Sequence, residues 1–106
     1  MIPNVSEKHL APERLAAFRA LSDPARLAIV DELRGGPLCG RDLRERLQLS
    51  SSLLSHHLRV LNKAGLIHYA RVGRCLEVEL NHDGFDRLEA ALPRRTRTEL
   101  EVADAR

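Results

Sequence analysis

The apolar positions of this chain recur first at helical spacing and later at alternating spacing. The clearest helical segment covers residues 50–65, where one set of residues predicts a buried side: Leu54, Leu58 and Leu61. Polar residues recur on another side at three- and four-residue steps: Ser52, Ser55, His56, Arg59 and Lys63. Ser50 can cap the first turn, and Gly65 can close the helix in a left-handed conformation. The pattern therefore predicts a capped helix with one packed face and one exposed polar face.

Three further helices are predicted before this segment. The first covers residues 12–21 and carries three apolar residues on one side: Leu15, Phe18 and Leu21. The second begins at the natural cap Asp23 with Pro24 in its first turn, continues to residues 35–37, and has an apolar stripe: Leu27, Val30 and Leu33. The third covers residues 42–49 and turns two leucines inward: Leu43 and Leu47. A tight link at residues 48–50 joins the third helix to the polar-faced one.

The period changes to strict alternation after Leu66. Ile67, Tyr69 and Arg71 fall on one face, Gly73 and Arg74 turn the chain, and an apolar set returns: Leu76, Val78 and Leu80. This is the pattern of a β-hairpin with a basic tip, which can lie along DNA phosphates, although an ordinary solvated turn is the alternative. Residues 38–39 form a short extended piece, for which pairing with the returning strand is left open.

A last helix is predicted to start at Asn81 or Asp83 and to end or kink at Pro93; its apolar residues are Phe85, Leu88 and Leu92. A short helix, a tight turn and a polar-faced helix followed by a hairpin predict a winged helix-turn-helix, mainly α with a small β-hairpin wing. A dimeric protein is plausible from size alone, because a single domain of 106 residues gains much stability from a partner subunit. The chain divides into an arm at 1–11, a DNA-binding and dimerisation domain at 12–92, and a charged extension at 93–106.

Charge is distributed unevenly along the 106 residues. Residues 41–74 hold seven basic and two acidic residues, whereas residues 1–40 are balanced and residues 75–106 are net negative. Concentrated basic charge beside the polar-faced helix suits a phosphate backbone, although a solvated surface is the alternative. No apolar run approaches the ~20 residues of a membrane helix and no secretory signal is visible, so we expect a cytoplasmic protein with no membrane partner.

The sequence resembles the ArsR/SmtB family of bacterial winged-helix repressors. The resemblance rests on SHHLRVLNKAGLI at residues 55–67, FRALSDPARL at residues 18–27 and the Gly73-Arg74 pair, and it covers roughly residues 15–92. It implies a homodimer built from the first and last helices, binding a partly palindromic double-stranded DNA operator. It also implies release of the operator when a metal or an oxidant arrives.

The sensor sites that the resemblance implies are incomplete in this chain. Family sensors frequently carry a Cys-x-Cys pair; Cys39 keeps the first position, but Arg41 occupies the second and cannot ligate a soft metal. A second family site uses histidines and carboxylates along the last helix, where this chain has His82 but no second histidine. A nickel or zinc ion held by Cys39, Cys75 or His82 remains one alternative, and a site across a dimer interface would use His9, His68 and His82.

Thiol chemistry at Cys39 and Cys75 is a second alternative to metal sensing. A dithiol switch needs α-carbons within about 7 Å of each other, which the sequence does not show. Arg41 can lower the pKa of Cys39 and make it reactive. The commonest fate of a free cysteine is a small buried hydrophobe, and this interpretation stands beside the two sensing ones.

Function follows from the polar-faced helix. Five residues of its N-terminal part are expected to contact bases or their surroundings: Ser51, Ser52, Ser55, His56 and Arg59. Lys63 and Arg74 are expected to contact phosphates, Arg71 is placed in the same DNA-binding set, and a phosphate contact is the alternative role of Arg59. His57 falls on the apolar side and is expected to be structural.

The leading hypothesis is a sequence-specific repressor; the alternative is a winged-helix module whose signal comes from an accessory regulatory protein. No catalytic motif is present, which disfavours an enzyme.

Overall fold

The computed structural model describes residues 12–93, which form five α-helices, one short 3-10 helix and three strands. The elements follow this order: α1 Pro12–Leu21, α2 Pro24–Glu32, the 3-10 helix Leu33–Gly35, β1 Leu38–Cys39, α3 Gly40–Leu47, α4 Ser51–Lys63, β2 Ile67–Val72, β3 Cys75–Leu80 and α5 His82–Ala90. The fold class predicted from the sequence, mainly helical with a hairpin wing, is confirmed. The expected arm and most of the charged extension lie outside the described residues.

Local hydrogen bonds explain where most helices begin. The Asp23 carboxylate accepts from the backbone N–H groups of Ala25 and Arg26 at 2.8 and 3.2 Å, which caps α2. Ser50 Oγ accepts from the N–H of Leu53 at 3.1 Å and caps α4. Asn81 caps α5, so the first of the two predicted starts is correct.

The sequence predicts that α3 begins and ends two residues later than it does in the structure. The helix begins at Gly40, because Cys39 in an extended conformation serves as its N-cap residue. It ends at Leu47, because Gln48 adopts a left-handed conformation with φ of 54° and stops the helical hydrogen bonding. The link to α4 therefore comprises Gln48, Leu49 and Ser50, as the sequence predicted.

The three strands form one antiparallel sheet in the order β1-β3-β2. In the hairpin, Ile67, Tyr69 and Arg71 lie opposite Leu80, Val78 and Leu76. The alternating sets seen in the sequence are therefore cross-strand pairs on one face. β1 pairs with the returning strand β3, with Leu38 opposite Val78 and Cys39 opposite Glu77.

The core joins the buried faces of the helices to the sheet. Leu43, Leu61, Leu66, Ile67 and Val78 are at most 1% exposed. In α1 the buried residues are Ala17 and Ala20. Phe18, which belongs to the predicted apolar side of this helix, is 37% exposed. Leu27 of the predicted α2 stripe is also exposed, and Ile29 packs inside in its place.

The turn after α4 carries the attachment point of α5. Gly65 has a φ of +78°, the left-handed conformation predicted for it. Its carbonyl oxygen accepts from Asn81 Nδ2 at 2.9 Å, and the carbonyl oxygen of Leu66 accepts from the Asn81 N–H at 2.9 Å. Gly84 lies directly against Gly65, so that a side chain at Gly84 would overlap the Gly65 carbonyl. α5 is thereby held against the C-terminal end of α4.

Candidate nucleic-acid interface

The exposed face of α4 carries all of the polar residues that the sequence predicted there. Ser51, Ser52, Ser55, His56, Arg59 and Lys63 are exposed. The opposite face is buried through Leu54, His57, Leu58 and Leu61. The helix therefore packs with its apolar side and presents a polar surface, flanked by the exposed Leu53, which is the arrangement required of a helix that enters a major groove.

His57 is structural, as predicted, and holds α4 against α2. It is 8% exposed, and its Nδ1 lies 3.2 Å from Arg26 Nη1. Because a guanidinium can only donate, Nδ1 accepts this hydrogen bond and carries no proton. Arg26 Nε also donates to the carbonyl oxygen of Ala20 at 2.7 Å. One arginine thus links α1, α2 and α4 and fixes the rotation of the exposed α4 face.

This contact makes stability depend on pH. Burial lowers the pKa of His57 below its ordinary 6.5; the Asp23 carboxylate opposes this shift in part, and the charges of Arg26 and His56 add to it. The unfolded chain therefore binds a proton at this histidine at a pH where the folded chain does not. The contribution to stability is complete above pH 6.5 and is lost as pH falls below it.

We expect the free energy of unfolding to drop between about pH 7 and about pH 5, measured by urea denaturation. A His57→Asn variant, whose Oδ1 takes the place of Nδ1, can still accept from Arg26 but does not titrate. It should show a smaller drop over the same range, even if it is less stable overall. An equal drop in both proteins would contradict this role for His57.

A basic cleft lies beside the N-terminal half of α4. It has a volume of about 280 Å³ and is bounded by the start of α3, the start of α4 and the wing. Its polar side chains are Arg41, Arg44, Arg71, Arg74, Ser51 and Ser55. Arg44 Nη1 donates to Ser51 Oγ at 3.0 Å, which connects the two helices of the helix-turn-helix at this point.

The four guanidinium groups around this cleft supply paired N–H donors of the kind through which arginine binds phosphate. The N-terminus of α4 at the same place adds its positive end. Of the predicted DNA-binding residues, Arg71 and Arg74 lie in this cleft, whereas Lys63 lies at the other end of α4, beside α1. Sequence reasoning did not assign Arg41 and Arg44 to the DNA surface, although their three-residue spacing places them on one side of α3.

The two cysteines lie together near the tip of the wing. Cys39 is opposite Glu77 in the ladder, so Cys75, two residues from Glu77, projects on the same face of the sheet. The proximity of the Cys75 thiol is the main cause that lowers the pKa of Cys39. The same contact raises the pKa of Cys75 to about 11.

The structure separates His82 from the two cysteines. His82 follows β3, whose far end at Leu80 lies five residues and about 17 Å beyond Cys75 along the strand axis. One metal ion therefore cannot be held by all three residues within one chain. Within residues 12–93, no group of three or more histidine, cysteine or acidic side chains is placed to hold a metal ion. His9 lies outside the described residues.

Comparisons with known proteins agree with the helix-turn-helix and the wing described above. Residues 23–69 match the model of the bacterial regulatory protein family arsR. The transcriptional repressor SdpR of Bacillus subtilis (strain 168) is 39% identical over 64 residues, which are 60% of this chain and 71% of SdpR. The chain belongs to the ArsR family of transcriptional regulators.

Other ArsR-family proteins show the same likeness. The transcriptional repressor SmtB homolog of Synechocystis sp. is 39% identical over 72 residues, which are 68% of this chain but only 54% of that protein. A solved structure, a possible transcriptional regulator for arsenical resistance, has 31% identity and a TM-score of 0.67, covering 71% of this chain and 78% of its own. The chain thus spans between about half and three quarters of the length of these relatives.

The comparisons connect this ArsR-family chain to transcription regulation and to the winged-helix fold. They indicate no enzyme family, in agreement with the lack of a catalytic motif. None of the helices in residues 12–93 has the length and apolar character needed to cross a lipid bilayer.

Proposed function

We propose that this ArsR-family chain is a repressor that binds a palindromic operator as a homodimer, with α4 in the major groove. The observation that carries the proposal is the continuity of two surfaces. The exposed polar face of α4 joins, at Ser51 and Ser55, a cleft lined by four arginines. The polar face of α4 can contact base edges, while the arginine cleft binds the adjacent phosphates.

The two surfaces have different tasks. Ser52, His56 and Arg59 lie on the side of α4 opposite its buried leucines, at the place where base edges are reached. The cleft arginines lie around the start of α4 and on the wing, where the DNA backbone passes. Arg59 is therefore assigned to base reading, and Arg41 and Arg74 are assigned to phosphate binding.

Homodimerisation is supported by the outer surface of α1 and α5. Phe18 of α1 and Leu92 after α5 are 37% and 47% exposed. Between the two helices lies a groove of about 320 Å³, whose apolar lining includes Ala17, Leu88 and Ala91. A second copy would cover these side chains and bring two α4 helices to half-sites about one DNA turn apart.

Fluorescence anisotropy tests this proposal. Purified protein is titrated, under reducing conditions and at physiological salt, onto the duplex upstream of its own gene and onto a scrambled duplex of equal length. We expect binding to the first to be tighter by about a thousandfold or more. Sedimentation of the complex should show two chains on each duplex.

Equal and weak binding to both duplexes would contradict the proposal. One chain on each specific duplex would contradict the dimer but not DNA binding. No observation on residues 12–93 favours the alternative in which an accessory protein supplies the signal.

A further inference from the structure

The cysteine pair is the chemical feature that DNA binding by α4 and the cleft does not require. Cys39 is the last residue of β1 and the N-cap residue of α3. Cys75 is the first residue of β3, directly after the wing tip. Since Cys39 is opposite Glu77, Cys75 is its diagonal neighbour on the same face of the ladder.

The two thiols differ in chemistry. The neighbouring Cys75 thiol is the largest cause that lowers the pKa of Cys39. The sulfur of Cys39 makes no capping hydrogen bond of standard geometry, but the backbone N–H of Arg41 lies close enough to lower its pKa as well. Burial and the neighbouring sulfur together keep Cys75 protonated. Cys39 is therefore the better nucleophile of the two.

The pair is accessible and adjacent to the DNA-facing cleft. Both cysteines are half-buried, and with Arg41, Asp42 and Arg74 they line an open recess of about 300 Å³. Cys39 also lines the basic cleft. A small oxidant can reach the sulfurs from solvent, and the two arginines assigned to phosphate binding lie next to them.

We propose that Cys39 and Cys75 form a dithiol-disulfide switch that responds to a hydroperoxide and weakens DNA binding when oxidised. The site of oxidation stands on the placement of the two thiols, and the effect on DNA rests on the function proposed above.

The chemistry balances with hydrogen peroxide as the oxidant. The Cys39 thiolate attacks one peroxide oxygen, the O–O bond breaks, and the released hydroxide takes up a proton to become water. Cys39 is then a sulfenic acid. The Cys75 sulfur attacks the Cys39 sulfur, the S–O bond breaks, and the hydroxide leaves with the Cys75 proton as the second water. Two thiols lose two electrons, and one peroxide gains them.

Closing the disulfide changes the shape of the cleft. Diagonal neighbours in an antiparallel ladder have α-carbons about 7–8 Å apart, whereas a disulfide holds them about 5.5–6 Å apart. The wing tip must therefore move towards the start of α3 by about 1–2 Å. Arg74 precedes Cys75 and Arg41 follows Cys39 by two residues, so the movement alters the spacing between phosphate-binding groups on opposite walls.

The first experiment follows the disulfide without DNA. The chain contains two cysteines, so an intramolecular disulfide can only be Cys39–Cys75. Reduced protein treated with hydrogen peroxide should lose two hydrogen atoms by mass spectrometry and remain a single chain on a non-reducing gel. Covalent dimers, or no disulfide, would overturn the proposal.

Two variants test the roles of the thiols. Cys75→Ser should accumulate a sulfenic acid at Cys39 that a dimedone probe traps, because the resolving thiol is absent. Cys39→Ser should react with peroxide far more slowly. The reverse order of reactivity would overturn the assignment of Cys39 as the nucleophile.

The second experiment measures DNA affinity by anisotropy on the upstream duplex. The oxidised wild-type protein should bind at least about tenfold more weakly than the reduced protein, because each protomer loses the alignment of a phosphate contact. Dithiothreitol should restore the affinity. Peroxide-treated Cys75→Ser, which forms no disulfide, should lose less than twofold; a loss as large as that of the wild type would overturn the disulfide as the cause.

The outcomes separate the two proposals. A disulfide that forms without a change in affinity overturns the switch and leaves the repressor function standing. A reduced wild-type protein that shows no preference for the upstream duplex overturns the repressor function, while the mass measurement still decides whether the thiols join.

Discussion

Replacing Arg41 and Arg74 together by alanine is expected to reduce DNA affinity by about a hundredfold at physiological salt, on every sequence tested. The two side chains face one cleft from opposite walls, one at the start of α3 and one at the wing tip. Each protomer loses two phosphate contacts and a dimer loses four. The slope of log affinity against log salt should therefore decrease by about 0.9 for each contact, or about 4 in total.

A charge-matched control removes two arginines elsewhere. Arg34 and Arg46 form exposed ion pairs with Asp31 and Glu32, at 3.8 and 3.1 Å, and neither lines the cleft. The Arg34→Ala/Arg46→Ala variant should keep most of the affinity and change the salt slope little. Similar losses in both double variants would show that net charge alone, and not the cleft, accounts for the effect.

The Arg59→Ala variant is expected to lose sequence preference rather than affinity for DNA in general. Arg59 lies on the exposed face of α4, away from the cleft. Its loss should reduce the preference for the upstream duplex by about tenfold to a hundredfold and affect the scrambled duplex little. If Arg59→Ala and the cleft variant lowered affinity in the same way on all duplexes, the proposed division of tasks would be wrong.

Gly84→Ala is expected to lower the free energy of unfolding by about 3 kcal/mol and the melting temperature by about 10 °C or more. The expectation runs against helix propensity, because alanine is favoured over glycine within helices by about 1 kcal/mol. At this position a Cβ would overlap the carbonyl group of Gly65 and approach Asn81 Nδ2 to 3.4 Å. The backbone of Gly65 cannot move easily, because Gly65 forms the turn after α4 with a φ of +78°.

Gly35→Ala is the matched control for this prediction. Gly35 lies in the 3-10 helix, and a Cβ there meets nothing within 4 Å. We expect its free energy of unfolding to change by less than about 0.5 kcal/mol in urea denaturation followed by circular dichroism. A Gly84→Ala protein as stable as the wild type would mean that α5 does not pack tightly on the Gly65 turn.

The helix boundaries show how far local sequence information extends. Asp23, Ser50 and Asn81 were correct caps because their side chains bond to backbone groups two or three residues away. The start of α3 was missed because Cys39 is a poor cap by type. It occupies the cap position because β1 pairs with β3 and fixes the backbone just before the helix.

The same distinction between local and tertiary information applies to the candidate DNA site. The exposed set on α4 followed from helical periodicity alone, because one helix carries all of its members. The arginine cleft did not, since its residues come from α3, β2 and the wing tip, and only the packing of those elements joins them. The sequence indicated a basic segment but not which of its charges share a cleft.

The sequence by itself determined the element types, the packed and polar faces of α4, and the winged-helix character of the chain, because these depend on spacing and on hydrogen bonds over a few residues. The tertiary structure decided that Cys39 meets Cys75, that His57 accepts from Arg26, and that Gly84 contacts Gly65. Each of these contacts joins residues far apart in the chain. Their approach is set by strand register and helix packing, to which many residues contribute and which no local pattern encodes.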